Sequence, residues 1–96
     1  MQKLTINTVV KRKDEKLITS ELDNELVMMD LENGNYLNLN KTARIIWELI
    51  DKPIMIKDIV SNLTSRFNIN EEKCQNETIT FLNKLSDQKA LEVAAK

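Results

Sequence analysis

The spacing of apolar residues changes near residue 40 and divides the chain into two parts. Before that point, apolar and polar residues alternate, which predicts strands over residues 4–11, 17–22 and 26–39. After it, apolar residues recur every three or four positions, which is typical of amphipathic helices. We therefore predict an α+β fold in which N-terminal antiparallel strands, over about residues 4–39, precede a three-helix bundle. These are the secondary-structure elements of a winged helix-turn-helix domain, arranged in a permuted order along the chain.

Three helices are predicted after the strands, at about residues 41–50, 56–67 and 71–88. Asn40 and Asn70 precede the first and the third helix and can cap them. Pro53 ends the first helix, because the residue before a proline avoids the helical region. Trp47 lies on the apolar stripe of that helix, a spacing that favours a core position over ligand stacking. Residues 90–93 either add a last strand or fray.

The dipeptide Asn33-Gly34 predicts a tight hairpin turn, because both residue types tolerate the positive φ that a type I′ turn needs. A two-residue loop would place Met28 opposite Leu39. One face of the pair would then carry Leu26, Met28, Leu37 and Leu39, and the other would carry Val27, Met29, Leu31 and Tyr36. Apolar residues on both faces predict either cover on both sides or a surface that awaits a partner.

Length and composition limit the classes of function. The 96 residues predict one domain, and the 14 basic and 15 acidic residues argue against a nucleic-acid-binding surface. Without histidine the chain lacks the commonest general base, and Cys74 has no second cysteine for a disulfide. We therefore predict no metal site, no cofactor and no catalytic thiol, with Cys74 as a small buried hydrophobe.

The predicted location is the cytoplasm. No apolar run approaches the roughly 18 residues of a membrane span, and the start of the chain lacks the apolar segment of a secretory signal. The basic residues of segment 11–16 would suit an anion contact, but the interleaved acids favour a solvated loop.

The combined spacing of several short motifs resembles the PqqD-like proteins, the small stand-alone recognition elements for ribosomally synthesised, modified peptides. The resemblance covers nearly the whole chain and rests on Glu21-Leu22-Asp23, Asp30-Leu31, Gly34-Asn35-Tyr36, Leu39-Asn40, Ile46-Trp47, Phe81-Leu82 with Leu85, and Ala90-Leu91-Glu92-Val93. The ELD element and the preceding VV strand are most similar to the discrete leader-binding proteins of lasso-peptide biosynthesis. The chain departs from the family pattern at Gln88 and Lys89, where members tend to have a glycine.

The resemblance implies a binding protein that is not an enzyme. Members of the family bind the leader segment of a precursor peptide and present it to a separate leader peptidase and a separate ATP-dependent macrolactam synthetase. The leader adds as a β-strand to the strand that precedes the helices, in a groove whose other wall is the third helix. No nucleic acid or membrane is implied, and we expect a monomer or a weak dimer.

The residues themselves support the same site, because an edge strand offers unpaired backbone groups to an extended peptide. The predicted strand wall consists of Asn35, Tyr36, Leu37, Asn38 and Leu39. The predicted helix wall consists of Cys74, Gln75, Thr78, Ile79, Leu82 and Asn83. Of these, Leu39, Cys74 and Leu82 fit ordinary core positions as well, whereas Tyr36 and Ile79 are favoured for direct contact since they are apolar and lie off the core stripes.

Two alternatives stay open at this stage. The first is a PqqD-like chaperone that serves a radical enzyme of the quinone-cofactor or thioether-peptide type. The second, less favoured, is a winged-helix DNA-binding protein. The third helix opens with Glu71 and Glu72, whereas a recognition helix would carry basic and amide side chains toward the groove.

Overall fold

The predicted α+β fold is confirmed. A computed structural model describes residues 4–13, 17–23, 25–31, 34 and 36–94. In chain order the elements are β1 (Val9–Arg12), β2 (Leu17–Leu22), β3 (Glu25–Asp30), β4 (Tyr36–Leu39), α1 (Lys41–Leu49), β5 (Ile54–Met55), α2 (Ile56–Arg66), α3 (Glu71–Asp87) and β6 (Leu91–Ala94). Four strands thus come first, and the three helices follow with two short strands among and after them.

The strands form two separate three-stranded antiparallel sheets. One has the order β2-β3-β4 and is built from consecutive strands of the chain. The other has the order β5-β1-β6 and joins β1 to two short strands from the helical half. β5 is not predicted by the pattern of the sequence, and for residues 90–93 that pattern left a strand and a frayed end equally open. The pairing of Val10 with both Ile54 and Val93 explains why this end of the chain is ordered.

The core lies between the helices and one face of each sheet. Its fully buried side chains come from both halves of the chain and include Val10, Met28, Leu39, Ile46, Ile50, Ile59, Leu63, Leu82 and Leu85. Trp47 is buried as well, as its position on the α1 stripe predicted. The core therefore fixes α1 against β3 and β4 and α3 against α1 and α2, which positions the site described below.

Both predicted helix caps are confirmed. The Asn40 side chain accepts a hydrogen bond from the Ala43 amide at 2.9 Å, and the Asn70 side chain accepts one from the Lys73 amide at 3.1 Å. Each bond satisfies an amide that has no partner within its helix. Because Asn40 directly follows β4, the strand passes into α1 without a connecting loop.

The first strand begins later than predicted. Thr5 and Thr8 close a turn, in which the Thr8 amide donates to the Thr5 carbonyl and the Thr8 hydroxyl accepts from the Thr5 amide, both at 3.0 Å. Local hydroxyl bonds of this kind compete with a strand ladder. The predicted strand over residues 4–11 is therefore wrong in its first half, although Leu4 is still buried.

The predicted two-residue loop between β3 and β4 is also wrong. Leu39 pairs with Leu26, two positions from the expected Met28, so the connection spans residues 31–35. Gly34 has a φ of 74° and its amide donates to the Asp30 carbonyl at 2.8 Å, which closes a wider turn. Asn33 and Asn35 lie outside the described residues. A shift of two positions leaves each side chain on its predicted face.

Candidate functional site

Strand β4 forms one edge of its sheet. It pairs with β3 on one side, and the described part of the chain provides no strand on the other. The backbone amides and carbonyls that point away from β3 are thus available to an extended partner. The strand also precedes the helices directly, which is the position that the sequence analysis gave to the binding edge.

A groove of about 400 Å³ runs along this edge. Its walls are formed by β4 and by α3, with α1 between them. The lining residues are Leu37, Asn38, Asn40, Thr42, Ala43, Ile46, Asn76, Glu77, Thr80, Phe81 and Lys84. Leu37 and Asn38 point to opposite faces of the sheet, since consecutive strand residues alternate. A cavity that contacts both therefore borders the edge of the strand rather than one of its faces.

The groove combines an apolar base with a polar rim. Leu37, Ile46 and Phe81 supply the apolar surface, and Asn38 and Thr80 lie exposed at the rim. This composition suits an extended peptide, whose backbone can bond to the strand while alternate side chains enter the groove.

The groove also carries one charge of each sign on α3. Glu77 and Lys84 line it seven residues apart, which is about 10 Å along a helix. The charges give the groove a direction, because a peptide with complementary charges would fit it better in one orientation than in the other.

The predicted strand wall lies at the groove, with differences between its members. Leu37 and Asn38 line the cavity, whereas Leu39 is fully buried in the core. Tyr36 belongs to the edge strand, but its side chain lies on the opposite face of the sheet from Leu37 and is 68% exposed. Asn35 is outside the described residues.

The residues predicted for the helix wall lie on two different sides of α3. Residues four apart in a helix share a row. Cys74, Thr78 and Leu82 form one row, and all three are buried. Gln75, Ile79 and Asn83 form a second row, and they are not among the residues that line the groove.

The groove borders the row of Asn76, Thr80 and Lys84 together with Glu77 and Phe81, on the other side of the core row. None of these five residues was among the predicted site residues. Phe81, an aromatic residue at the margin of the apolar stripe of α3, is the signal that would have indicated this flank. Peptide contact by Gln75, Ile79 and Asn83 stays a prediction.

Cys74 has the properties of a packing residue. Burial raises the pKa of the Cys74 thiol above its ordinary value, and the carboxylates of Glu77 and Glu71 raise it further, while a hydrogen bond with Thr78 acts in the opposite direction. A raised thiol pKa keeps the sulfur protonated and weakly nucleophilic. Within the described ranges, no group of three or more His, Cys, Asp or Glu side chains is placed to hold a metal ion.

Comparison with protein families decides the classification. The family model for coenzyme PQQ synthesis protein D (PqqD) matches residues 25–91, which run from the start of β3 to the start of β6. The chain belongs to the PqqD family. The PqqD match includes β4, α1 and α3, and therefore every element that borders the groove. A search of curated proteins gives no match.

Solved structures with the same fold include two that hold a peptide. The first is TbiB1 in complex with the TbiA(beta) leader peptide, with a TM-score of 0.73 and 23% identity, over 90% of this chain and 99% of that one. The second is lasso peptide synthetase B1 complexed with the leader peptide, with a TM-score of 0.71 and 20% identity, over 86% and 96% of the two chains. This PqqD-family chain therefore shares their fold over most of its length. In the part of the chain that the structure describes, no helix is long and apolar enough to cross a membrane.

Proposed function

We propose that this PqqD-family protein binds the leader segment of a ribosomally synthesised precursor peptide by β-strand addition to β4. The observation that carries the proposal is the groove that borders the open edge of β4 and is walled by α3. A strand added at this edge would satisfy the outward backbone groups of β4. Its alternate side chains would contact Leu37 and Phe81 in the groove.

Two features of the comparisons support this proposal. Both similar structures hold a leader peptide, and one of the two proteins is a lasso peptide synthetase component. Their match extends over 86% or more of this chain, and the family match over residues 25–91 includes the edge strand and α3. Lasso-peptide maturation is therefore the pathway class that we propose.

In this scheme the protein acts as a presenter and not as a catalyst. The bound leader is delivered to a separate leader peptidase and to an ATP-dependent macrolactam synthetase. The groove offers amides, one carboxylate, one ammonium group and apolar surface, which suit the binding of an extended peptide.

A second candidate function concerns the identity of the enzyme partner. The family description refers to coenzyme PQQ synthesis, which favours a chaperone for a radical enzyme of the quinone-cofactor type. The groove does not distinguish the two kinds of enzyme partner, because the leader would bind in it in the same way for both. The genes that flank the coding sequence distinguish the two: a peptidase and a synthetase indicate the lasso pathway, and a radical enzyme indicates the other.

The decisive experiment measures the affinity of the protein for a leader peptide before and after a substitution that narrows the groove. The probe is the synthetic leader of the precursor encoded beside this protein, labelled for fluorescence anisotropy, with a scrambled peptide as reference. We expect binding without ATP or metal. The substitution Thr80→Trp places a large ring at the groove rim, and we expect at least a tenfold loss of affinity, about 1.4 kcal/mol.

Asn83→Trp is the matched control, because Asn83 is also exposed on α3 but does not line the groove. We expect this variant to bind like the wild type, and circular dichroism should show both variants folded. The opposite result, with binding lost in Asn83→Trp and kept in Thr80→Trp, would move the site to the row of Ile79. Wild-type affinity in both variants would contradict the proposal.

A further inference from the structure

Strand β2 is held in place by little burial. It pairs with β3 along one edge, and the side chains of Ile18, Thr19, Ser20 and Glu21 are all exposed. Consecutive strand residues alternate between the two faces of a sheet, so these four side chains represent both faces. Packing in the core therefore does not fix the position of this part of β2.

An ion pair joins β2 directly to α1. Nη2 of Arg44 contacts the Glu21 carboxylate, and Nε of Arg44 lies 3.6 Å from the Glu48 carboxylate. Because Glu48 is one helical turn from Arg44, its carboxylate helps to orient the guanidinium toward the strand. The Arg44 side chain is 33% exposed, so it is partly shielded from water. We call the contact between Arg44 and Glu21 the β2–α1 ion pair.

The flank of α1 that carries Arg44 borders a cavity of about 450 Å³. The described residues that line it recur at intervals of three and four and therefore share one flank of the helix. They are Lys41, Arg44, Ile45 and Glu48. The residues with which α1 lines the peptide groove, among them Ala43 and Ile46, lie on the other flank. Close packing, which would otherwise fix how the sheet lies on α1, is thus interrupted on both sides of the helix.

The two walls of the peptide groove are positioned through α1. Strands β3 and β4 pack against α1, and α1 packs against α3. Strand β4 passes into α1 at Asn40 without a loop, so this end of the sheet is tied to the helix by the chain itself. Strand β2 lies two strands away, roughly 10 Å from β4. A contact at that distance restrains the tilt of the sheet on α1 more effectively than one close to the junction.

We propose that Arg44 is a positioning residue for leader binding. Its pair with Glu21 fixes the tilt of the β2-β3-β4 sheet on α1, and this tilt sets the distance between β4 and α3. The inference rests on the proposed leader-binding function. Arg44 and Glu21 do not line the groove, so they act on the leader through the separation of its two walls.

The first experiment measures the groove in the absence of peptide. Spin labels are attached to Tyr36→Cys on β4 and Asn83→Cys on α3, in a Cys74→Val background, and electron resonance gives the distribution of distances between them. Both labelled positions are exposed and lie outside the lining of the groove. We expect Arg44→Glu to change this distribution. The charge exchange, Arg44→Glu combined with Glu21→Arg, should restore it.

The second experiment measures the affinity of unlabelled full-length protein for the synthetic leader described above. Exposed ion pairs are weak, and charge reversal adds repulsion, so we expect Arg44→Glu to weaken binding roughly three- to tenfold. The charge exchange should restore the wild-type affinity. Lys57→Glu is the matched control, because it changes the net charge equally at an exposed position outside both cavities. This control should bind like the wild type.

The inference requires both changes together, so wild-type distances or wild-type affinity in Arg44→Glu would overturn it. A loss that the charge exchange does not restore, or an equal loss in Lys57→Glu, would also overturn it. Glu21→Gln removes the same pair from an exposed position, and it decides the question in the same way if Arg44→Glu does not fold. Failure of the wild type to bind the leader would contradict the proposed function instead, since the distance measurement needs no peptide.

Discussion

At the scale of single residues, the two side chains with the most distinctive chemistry, those of Trp47 and Cys74, are packed in the hydrophobic core. Trp47 is 4% exposed, and the Arg12 guanidinium lies 4.9 Å from the centre of its ring. Cys74 is 2% exposed and has a raised pKa. Their positions on apolar helical stripes predicted both outcomes, because a residue on such a stripe faces the core whatever its chemistry.

The raised pKa of Cys74 predicts a pH dependence of stability. Below the ordinary thiol pKa of about 8.5 the sulfur is protonated in the folded and the unfolded state. Above it the unfolded chain releases the proton first, so the free energy of unfolding falls as the pH rises toward the folded-state pKa. Urea unfolding between pH 7 and pH 10 should therefore show a steeper decline for the wild type than for Cys74→Val. Parallel declines in the two proteins would contradict the assignment.

At the scale of elements, the end of α3 explains the departure from the family pattern. Lys89 has a φ of 60°, the Lys89 amide donates to the Ser86 carbonyl at 3.0 Å, and the Ala90 amide donates to the Leu85 carbonyl at 2.8 Å. These are the two bonds of a Schellman motif, in which the left-handed residue is usually glycine. Lysine thus adopts the backbone conformation that a glycine would adopt without strain.

Replacing Lys89 with glycine should therefore stabilise the protein. The left-handed conformation costs a residue with a β-carbon roughly 1–2 kcal/mol, and the flexibility of glycine offsets part of this gain. We expect an increase of about 0.5–1 kcal/mol in the free energy of unfolding, measured by urea titration. Lys84→Gly within α3 is the control and should lower the stability by about 1 kcal/mol. A destabilised Lys89→Gly variant would show that the lysine side chain stabilises the fold by more than its left-handed backbone conformation destabilises it.

The two hairpins of the β2-β3-β4 sheet show how far turn signals can be trusted. Leu22 pairs with Glu25, so Asp23-Asn24 forms the two-residue connection, and Asp23 has a φ of 49°. Asn24 lies outside the described residues. The stronger signal, Asn33-Gly34, lies in the longer connection instead. Burial restricts this register without fixing it, because Met28 and Leu39 must both face the core and any shift of two positions satisfies that condition.

At the scale of the whole molecule, Arg12 joins the two sheets through α1. Its Nη1 donates to the Trp47 carbonyl and its Nη2 to the Asp51 carboxylate, both at 3.1 Å. A cation at the carboxyl end of a helix also interacts favourably with the helix dipole. One residue of the β5-β1-β6 sheet thereby fixes the end of α1, which in turn packs against β3 and β4.

Arg12→Gln should consequently destabilise the protein more than removal of its acidic partner. Loss of the contact with the Trp47 ring and of the bond to the helix carbonyl predicts a decrease of about 1–2 kcal/mol in the free energy of unfolding. Asp51 is more than half exposed, so Asp51→Asn should cost about 0–1 kcal/mol. Thermal and urea unfolding of both variants measure the difference. Equal effects would mean that the ion pair supplies most of the stabilisation.

The candidate site was predictable in part. The edge strand before the helices followed from the order of periodic segments, and α3 followed from its apolar stripe. The flank of α3 that faces the groove could not be predicted from the sequence. Ile79 and Phe81 border the same buried row from opposite sides, and both are apolar. The rotation at which the helix packs against the sheet selects one of them, and that rotation depends on contacts between elements distant in the chain.

The sequence by itself determined the three helices, the strands β2 to β4 that precede them, the residues at which α1 and α3 begin, and most of the side chains that face the core. These features depend on interactions within a few residues, such as the caps of Asn40 and Asn70 and the periods of apolar residues. Only the tertiary structure decided the β3-β4 register, the second sheet and the composition of the groove. Each of these features depends on which segments, far apart in the sequence, pack against one another. That pairing is set by the packing of the whole hydrophobic core.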